Sequence, residues 1–287
     1  MPELPEVETV LRGLVAHALG RRITGVEIRH PAVIAGSVDD FAAAVTGGSI
    51  RRLDRKGKAL AMELAPENGG PARYLLLRLG MTGQFVVSRR EAPLLPHTHV
   101  RLSLDEGPEE LRYRDPRRFG RLRCCTATEL ELIFGRLGPD AQQIDEAQFH
   151  AALQGRRGAV KSWLMNQQFL SGLGNIYADE ALFLARIHPL AQAGRLSHDA
   201  ARRLYRAVRK VLDHAVALQG TSFRDYIDIE GRPGNFLPRL RVYQRTGEPC
   251  RRCRRPIRRV IVAGRSSHYC PRCQPRPRRV APMRGQR

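Results

Sequence analysis

The apolar positions of this chain change period once, near its middle. Val7, Val10, Leu11, Leu14, Val15, Ala18 and Leu19 recur at three- and four-residue spacing and stop at Gly20, which predicts an amphipathic first helix ended by a glycine. Such a helix would pin the N-terminus in place. Residues 23–30, 49–64, 73–87, 99–104 and 110–125 then read as β-type runs, separated by turn-rich pieces at 66–71 and 105–108. Short strands with few helices between them predict an antiparallel sandwich or barrel, with a short helix at 41–45 inside it. After Cys125 the period becomes helical, over 128–137, 146–153, 160–169, 175–185 and 197–219. Ser197 is the expected N-cap of the last, and Ala201, Leu204, Tyr205, Val208, Val211, Leu212 and Ala215 its buried stripe. The switch places a domain boundary near 135–140.

Charge alters this picture more than composition does. Forty-nine Lys and Arg against 28 Asp and Glu leave +21, while a 42% hydrophobic content is ordinary for a globular chain. Sixteen arginines and one acid, Glu248, lie between Arg239 and Arg287, so most of the excess sits at that end. A basic end on a moderately basic body points to a polyanionic partner. Only Lys56, Lys58, Lys161 and Lys210 are lysines, and arginine grips phosphate bidentately where lysine acts as a point charge. No stretch approaches the length of a membrane span, and the N-terminus is acidic rather than signal-like, so the expectation is a cytoplasmic soluble protein.

Six cysteines do not make a secreted disulfide framework. Cys250-x2-Cys253 and Cys270-x2-Cys273 are two knuckles that suit one tetrahedral four-thiolate zinc, with no open position and hence a structural role. A redox pair of motifs competes with that reading. Between the knuckles, 257–262 reads as a strand, 263–266 as a turn and 268–269 as its return, giving a zinc-clamped hairpin with Arg265 near the tip. Cys124 and Cys125 read as reduced strand residues with no chemistry.

The most specific stretch is the start. Loss of the initiator Met1 would leave Pro2 as a secondary amine. A free α-amino group has a pKa of roughly 7.7–8.0 against about 10.4 for a lysine side chain, so it is far more nucleophilic near neutral pH. A secondary amine attacking a masked aldehyde gives an iminium that has no N–H proton to lose and acts as an electron sink. Glu3 beside it is a candidate general acid/base. Taken alone, this start merely opens a helix, since Pro5 suits a first helical position and Glu6 and Glu8 a first turn.

Pro2-Glu3-Leu4-Pro5-Glu6-Val7-Glu8-Thr9 resembles the N-terminus of the formamidopyrimidine-DNA glycosylases, bacterial repair enzymes for oxidised guanine, and further matches run along nearly the whole chain. The resemblance implies that Pro2 is the nucleophile and Glu3 the acid/base. It implies that Lys58, in a segment that otherwise reads as a solvated basic turn, contacts phosphate beside the lesion and assists elimination. Arg265 gains a phosphate contact and a part in the later elimination. Leu79-Gly80-Met81-Thr82-Gly83 and Asp115-Pro116-Arg117-Arg118-Phe119-Gly120 read as turns presenting apolar and cationic tips. An enzyme that extrudes a base must fill the gap, and the family does so at places matching Met81, Arg117 and Phe119. His97, which with His99 otherwise looks like part of a metal site lacking a third ligand, is implied to contact phosphate. Arg156, otherwise a surface cation, is implied to bind DNA where many relatives carry Lys. Gly174-Asn175 opens a helix as in the family's helix–two-turn–helix element, with Asn175 a phosphate ligand. The polar stretch 221–236 is implied to cover the flipped base as a mobile lid.

The expected fold is thus α+β and multidomain. An N-terminal antiparallel β-sandwich with flanking helices spans 1–135. A helical helix–two-turn–helix domain with the lesion loop spans 136–238, a four-cysteine zinc-finger hairpin 239–273, and a basic disordered tail 274–287. The implied function is a bifunctional glycosylase and AP lyase that excises 8-oxoguanine and formamidopyrimidines from damaged double-stranded DNA and nicks it by β,δ-elimination. The implied setting is a monomer in the cytoplasm at the nucleoid, holding one zinc and using no membrane. Two alternatives stand beside it: an endonuclease VIII-like enzyme for oxidised pyrimidines, and a non-catalytic zinc-ribbon DNA-binding protein.

Overall fold

The computed structural model describes residues 2–276. It contains two compact units, one formed by residues up to Gln142 with Leu170–Leu173 and Leu212–Arg239, the other by Gln143–Phe169, Gly174–Val211 and the chain from Leu240.

In the first unit, α1 (Leu4–Ala18) buries Val7, Val10, Leu14 and Ala18 of the expected stripe together with Leu4, whereas Val15 and Leu19 are exposed. Two four-stranded antiparallel sheets follow. One has the order β1 (Ile23–Ile28), β6 (Thr98–Leu104), β7 (Glu109–Arg114), β5 (Gln84–Arg89). The other has the order β2 (Ser49–Lys56), β3 (Ala59–Ala65), β4 (Arg73–Arg78), β8 (Arg121–Cys125). A common core of Val10, Leu14, Phe41, Leu60, Leu75, Phe85, Val100, Leu111, Tyr113 and Leu122 joins them to α1 and α2 (Val38–Val45). Side-chain alternation fills such a sandwich from both inner faces. α2 starts earlier than the apolar pattern suggests because Ser37 caps it, accepting from the Asp40 N–H at 3.2 Å.

Three of the expected β runs are each two strands. The breaks fall at Gly57-Lys58, at 79–83 and at 115–120, and all three carry residues singled out as candidates for chemistry. Cys124 and Cys125 are unpaired thiols of β8. Burial pushes both up, Cys125 to about 11, so neither is a ready nucleophile.

The second unit is helical: α4 (Glu146–Leu153), α5 (Val160–Met165), α6 (Asn175–Ala185) and the first part of α7 (His198–Ala217). α3 (Ala127–Gly135) belongs to the first unit. α5 stops at Met165 rather than Phe169 because Asn166 leaves the helical region. The unit ends in a two-stranded hairpin, β9 (Arg258–Val262) and β10 (Arg265–Tyr269). Its turn is only Ala263-Gly264, both with positive φ (+47° and +71°), the pattern of a two-residue hairpin turn. Arg265 is therefore the first residue of β10, paired with Val262. Gln274, placed by composition at the start of the tail, is buried, accepting from the Cys270 N–H and donating to the Ile187 carbonyl. Residues 277–287 of that tail lie outside the described residues. No helix among the described residues is long and apolar enough to cross a membrane.

Candidate active site

The first unit assembles the N-terminus, the Lys58 turn and the loop 221–236. Pro2 is buried, and Glu3, 2% exposed, takes the N-cap position of α1. The fully buried carboxylate of Glu6 accepts from the Glu3 N–H at 2.7 Å and from the Thr221 N–H at 2.8 Å. One acid thereby ties the N-terminus to the first residue of the loop. Leu4 N–H donates to the Gly172 carbonyl at 3.1 Å, and a Cβ on Gly172 would lie 2.5 Å from Leu4 Cδ1, so this approach requires glycine.

The Lys58 turn packs on the same segment. Gly57 has φ +59°, and a Cβ there would meet Ser171 Cβ at 2.9 Å and Gly172 N at 3.1 Å. Beneath it, Arg55 donates to Glu8 Oε2 (2.8 Å), Asp140 Oδ2 (2.5 Å) and the Gly57 carbonyl (3.0 Å), while Asp140 also accepts from the Gly57 N–H (2.9 Å). Burial alone would raise the Glu8 carboxyl, but the Arg55 and Arg12 guanidinium groups together outweigh it and hold Glu8 below the usual range. This network joins α1, the turn bearing Lys58 and the chain at Asp140.

The loop 221–236 is anchored along its length rather than hung from its ends. Tyr226 donates to the Glu6 carbonyl at 3.4 Å, Val87 N–H donates to the Ile229 carbonyl at 2.8 Å, and Gln84 reaches the Asp225 carbonyl. Tyr226 and Ile229 join the main core, leaving Phe223, Arg224 and Asp225 as an exposed run.

A second cluster in this unit holds the expected wedge. Asp115, with no exposed surface, accepts from Thr82 Oγ1 (2.5 Å), Tyr113 OH (3.0 Å), Gly120 N–H (2.8 Å) and Arg117 N–H (3.3 Å). It therefore knots the turn bearing Met81 to the turn bearing Arg117 and Phe119. The turns touch so closely that a Cβ on Gly80 would lie 2.5 Å from Gly120 N, and one on Gly120 2.1 Å from the Tyr113 hydroxyl. Phe119 is 55% exposed, with the Arg117 guanidinium 4.6 Å above its ring, and Met81 is half-exposed. Exposed His97 sits beside this cluster at φ +67°, its carbonyl accepting from the Asp115 N–H. His99 is buried with Nε2 2.9 Å from the Asp115 carbonyl, and burial lowers its pKa, so it is a neutral strut. Neither Asp115 nor the Arg55–Asp140 pair stands out in the sequence as a functional residue. The Asp-Pro start of the second turn is the one available signal.

In the second unit, Asn175 begins α6, and its Oδ1 is buried with no hydrogen-bond partner among the described residues. Arg156 lies in the connection between α4 and α5, and Arg265 is exposed on the hairpin. The four cysteine sulfurs lie within 4.8 Å of one another, with Cys250–Cys273 at 4.0 Å and Cys253–Cys270 at 3.3 Å. A tetrahedral zinc with bonds of about 2.3 Å to sulfur needs sulfurs about 3.8 Å apart, so the set fits one structural zinc and leaves no ligand position open. Backbone N–H groups of Arg252 and Cys273 point at Cys250 and Cys270 sulfurs, both at 3.4 Å.

Two buried acids on α6 fasten this finger. Glu180 accepts from the backbone of Arg241, Val242 and Tyr243 at 2.8–3.0 Å. Asp179 pairs with buried Lys161 at 2.6 Å and accepts from the His268 N–H and ring. Lys161 also donates to the Ser266 carbonyl at 3.0 Å, next to Arg265.

Comparison with known proteins places the chain among relatives that match it over most of its length. Residues 1–122 match the formamidopyrimidine-DNA glycosylase N-terminal domain, 137–226 the formamidopyrimidine-DNA glycosylase H2TH domain, and 247–276 a zinc finger found in FPG and IleRS. The formamidopyrimidine-DNA glycosylase of Solibacter usitatus is 46% identical over 277 residues, covering 96% of this chain and all of that protein. The Lactococcus lactis FPG, solved as a mutant in complex with Fapy-dG-containing DNA, superposes with a TM-score of 0.88 at 33% identity over 96% of this chain and all of its own. MutM in complex with DNA containing carbocyclic 8-oxo-G superposes with a TM-score of 0.87, also at 33% identity over 96% of this chain and all of its own. The chain belongs to the formamidopyrimidine-DNA glycosylase family, zinc-finger DNA glycosylases of base excision repair with an associated lyase activity.

Proposed function

We propose that this protein, acting as a monomer on damaged duplex DNA at the nucleoid, excises 8-oxoguanine and formamidopyrimidines through Pro2 and then cuts the strand by β,δ-elimination. The observation that carries the reading is the stitched N-terminus: Pro2 and Glu3 are buried at the head of α1, on the Gly172 segment that also receives the Lys58 turn. A nucleophile held in this way needs little reorganisation.

In the first step the Pro2 nitrogen bonds to the sugar C1′, the glycosidic bond breaks, and the base leaves with its electron pair and takes up the proton that the Pro2 amine loses. Glu3 protonates the ring oxygen as the sugar opens, leaving the cationic iminium. The iminium acidifies the C2′ protons. Loss of one expels the 3′ phosphate, and a second elimination expels the 5′ phosphate. Lys58 and Arg265 assist at these phosphates, while His97, Arg156 and Asn175 bind the backbone. Met81, Arg117 and Phe119 fill the space left by the extruded base, with the Arg117 guanidinium facing the acceptors of the orphaned partner. The residues of 221–236 cover the base.

Product analysis on duplexes carrying one defined lesion tests this. Release of the oxidised purine, with a one-nucleoside gap bearing phosphates at both ends, is expected. Preferential release of oxidised pyrimidines, or binding without cleavage, would replace the reading with one of the two alternatives. In the same assay Met81→Ala and Phe119→Ala should slow base excision about tenfold to a hundredfold, the scale of a few kcal/mol of unstacking. Cleavage of a pre-formed abasic site should change much less. Equal losses on both substrates would make these side chains merely structural.

A further inference from the structure

We propose that Trp163 is a positioning residue for DNA binding: with Phe169 it forms an aromatic floor that holds the Arg156 guanidinium ready for a backbone phosphate. The inference rests on the reading of Arg156 as a phosphate contact.

The Arg156 guanidinium carbon lies 4.6 Å from the Trp163 ring centre and 5.8 Å from that of Phe169, and the two rings meet edge to face at 5.5 Å. Both distances are within the range of cation–π attraction, for which an indole face is the strongest partner. The backbone beneath is held just as firmly. Gly155 and Gly158, with φ +68° and +92°, bracket a tight connection between α4 and α5. The Arg156 carbonyl accepts from the Gly194 N–H at 2.9 Å, the Gly158 carbonyl from Ala193 at 3.0 Å, and Val160 N–H donates to Ala191 at 2.7 Å. A Cβ on Gly194 would lie 2.8 Å from both the N and the O of Arg156. The indole N–H of Trp163 donates to the Arg157 carbonyl at 2.8 Å, so the floor is bound to the loop it supports.

The guanidinium itself is committed through one atom. Its Nε donates to the Ala152 carbonyl at 3.1 Å, which fixes the rotation of its plane. No described residue accepts from its two terminal nitrogens, and the residue is exposed. Ion pairing to an acid, the usual use of a fixed surface arginine, is absent among the described residues. A planar cation stacked on one face, tied at Nε and open at its terminal edge suits the bidentate geometry of a phosphate. An ammonium group has no planar face to stack and would lose this preorganisation, so Arg and Lys are not equivalent here. Ordering a long side chain before binding accounts for roughly two- to tenfold in affinity.

Trp163 is the only tryptophan in the chain, so its emission reports on this place alone. The full-length protein is titrated with undamaged duplex, following Trp163 emission and, separately, the anisotropy of labelled DNA across a salt series. The emission of the wild type should change and saturate at the Kd read by anisotropy. Arg156→Gln should abolish that change and reduce the log–log salt slope by about one. Trp163→Leu should weaken binding about two- to tenfold in the wild type but not in the Arg156→Gln background, and should raise KM more than it lowers kcat. Trp163→Phe should restore most of the loss. An unchanged emission at saturating duplex, or the same loss from Trp163→Leu in both backgrounds, overturns the proposal while leaving Arg156 a phosphate contact. If Arg156→Gln keeps the wild-type affinity and slope, the reading of Arg156 falls and the proposal with it. If Trp163→Leu does not fold, the emission of the wild type and of Arg156→Gln still decides.

Discussion

Glu3→Gln should release 8-oxoguanine on the order of 10²- to 10⁴-fold more slowly than the wild type, the range for a lost general acid/base, yet still cleave pre-formed abasic sites. The substitution keeps the size of a side chain that is only 2% exposed. The Glu3 N–H continues to donate to Glu6, because that bond uses only the main chain of residue 3. What is removed is the proton-transfer group. An abasic site already carries an aldehyde in equilibrium with its closed sugar, so Pro2 can reach the iminium with less help. Single-turnover rates on a lesion duplex and on an abasic duplex separate the two effects. Equal suppression on both substrates would place Glu3 in positioning Pro2 rather than in proton transfer, and a wild-type rate on the lesion would remove it from the chemistry.

Cys270→Ser should take zinc content from one per chain to near zero and with it DNA cleavage at physiological salt. Cys270 is fully buried in a small cluster with Phe183, Val242, Cys250 and Ile257, and a group of that size cannot hold a hairpin by hydrophobic burial alone. Zinc binding of about 10–16 kcal/mol in such modules serves as folding free energy. The damage should remain local. Lys161, Asp179, Glu180 and His268 fasten the finger within the second unit, whereas the sandwich has its own core. Elemental analysis and the unfolding of the first unit, read by circular dichroism, check both halves. A metal-free protein with full activity would contradict the structural role of zinc.

How far the site can be read from the chain depends on the range of the interactions. α4 and α6 appear at the residues the helical period assigns them, and the Asp145–Gln148 capping box adds a local start signal for α4. The cysteine knuckles, the exposed tips Arg117 and Phe119 and the half-exposed Met81 are likewise local signals. Strand runs merge in the sequence where a turn contains few breakers: 49–64 reads as one strand, yet Gly57, at φ +59°, turns it back. Arg55 and Asp140, which hold the Lys58 turn, are 85 residues apart, and Glu6 meets Thr221 across 215. No local pattern encodes such pairs. Asp115 is legible as a turn residue, but its grip on Thr82 needs the fold. The segment 170–173 falls between two expected helices of the second unit, yet it belongs with the N-terminus of the first.

The central claim is that Pro2, and no lysine, attacks the sugar. Its reference pKa as an α-amino group lies near neutrality, and the positive end of α1 disfavours its protonation further. Lys58 is the rival, a primary amine with a higher reference pKa, on a turn packed against the same Gly172 segment. Borohydride added during reaction with a lesion duplex reduces the iminium to a stable amine, and digestion with mass mapping locates the linked residue. The predicted result is one covalent protein–DNA adduct on residue 2 with Met1 absent. An adduct on Lys58, or undiminished trapping by protein bearing an uncleaved N-terminal tag, would contradict it.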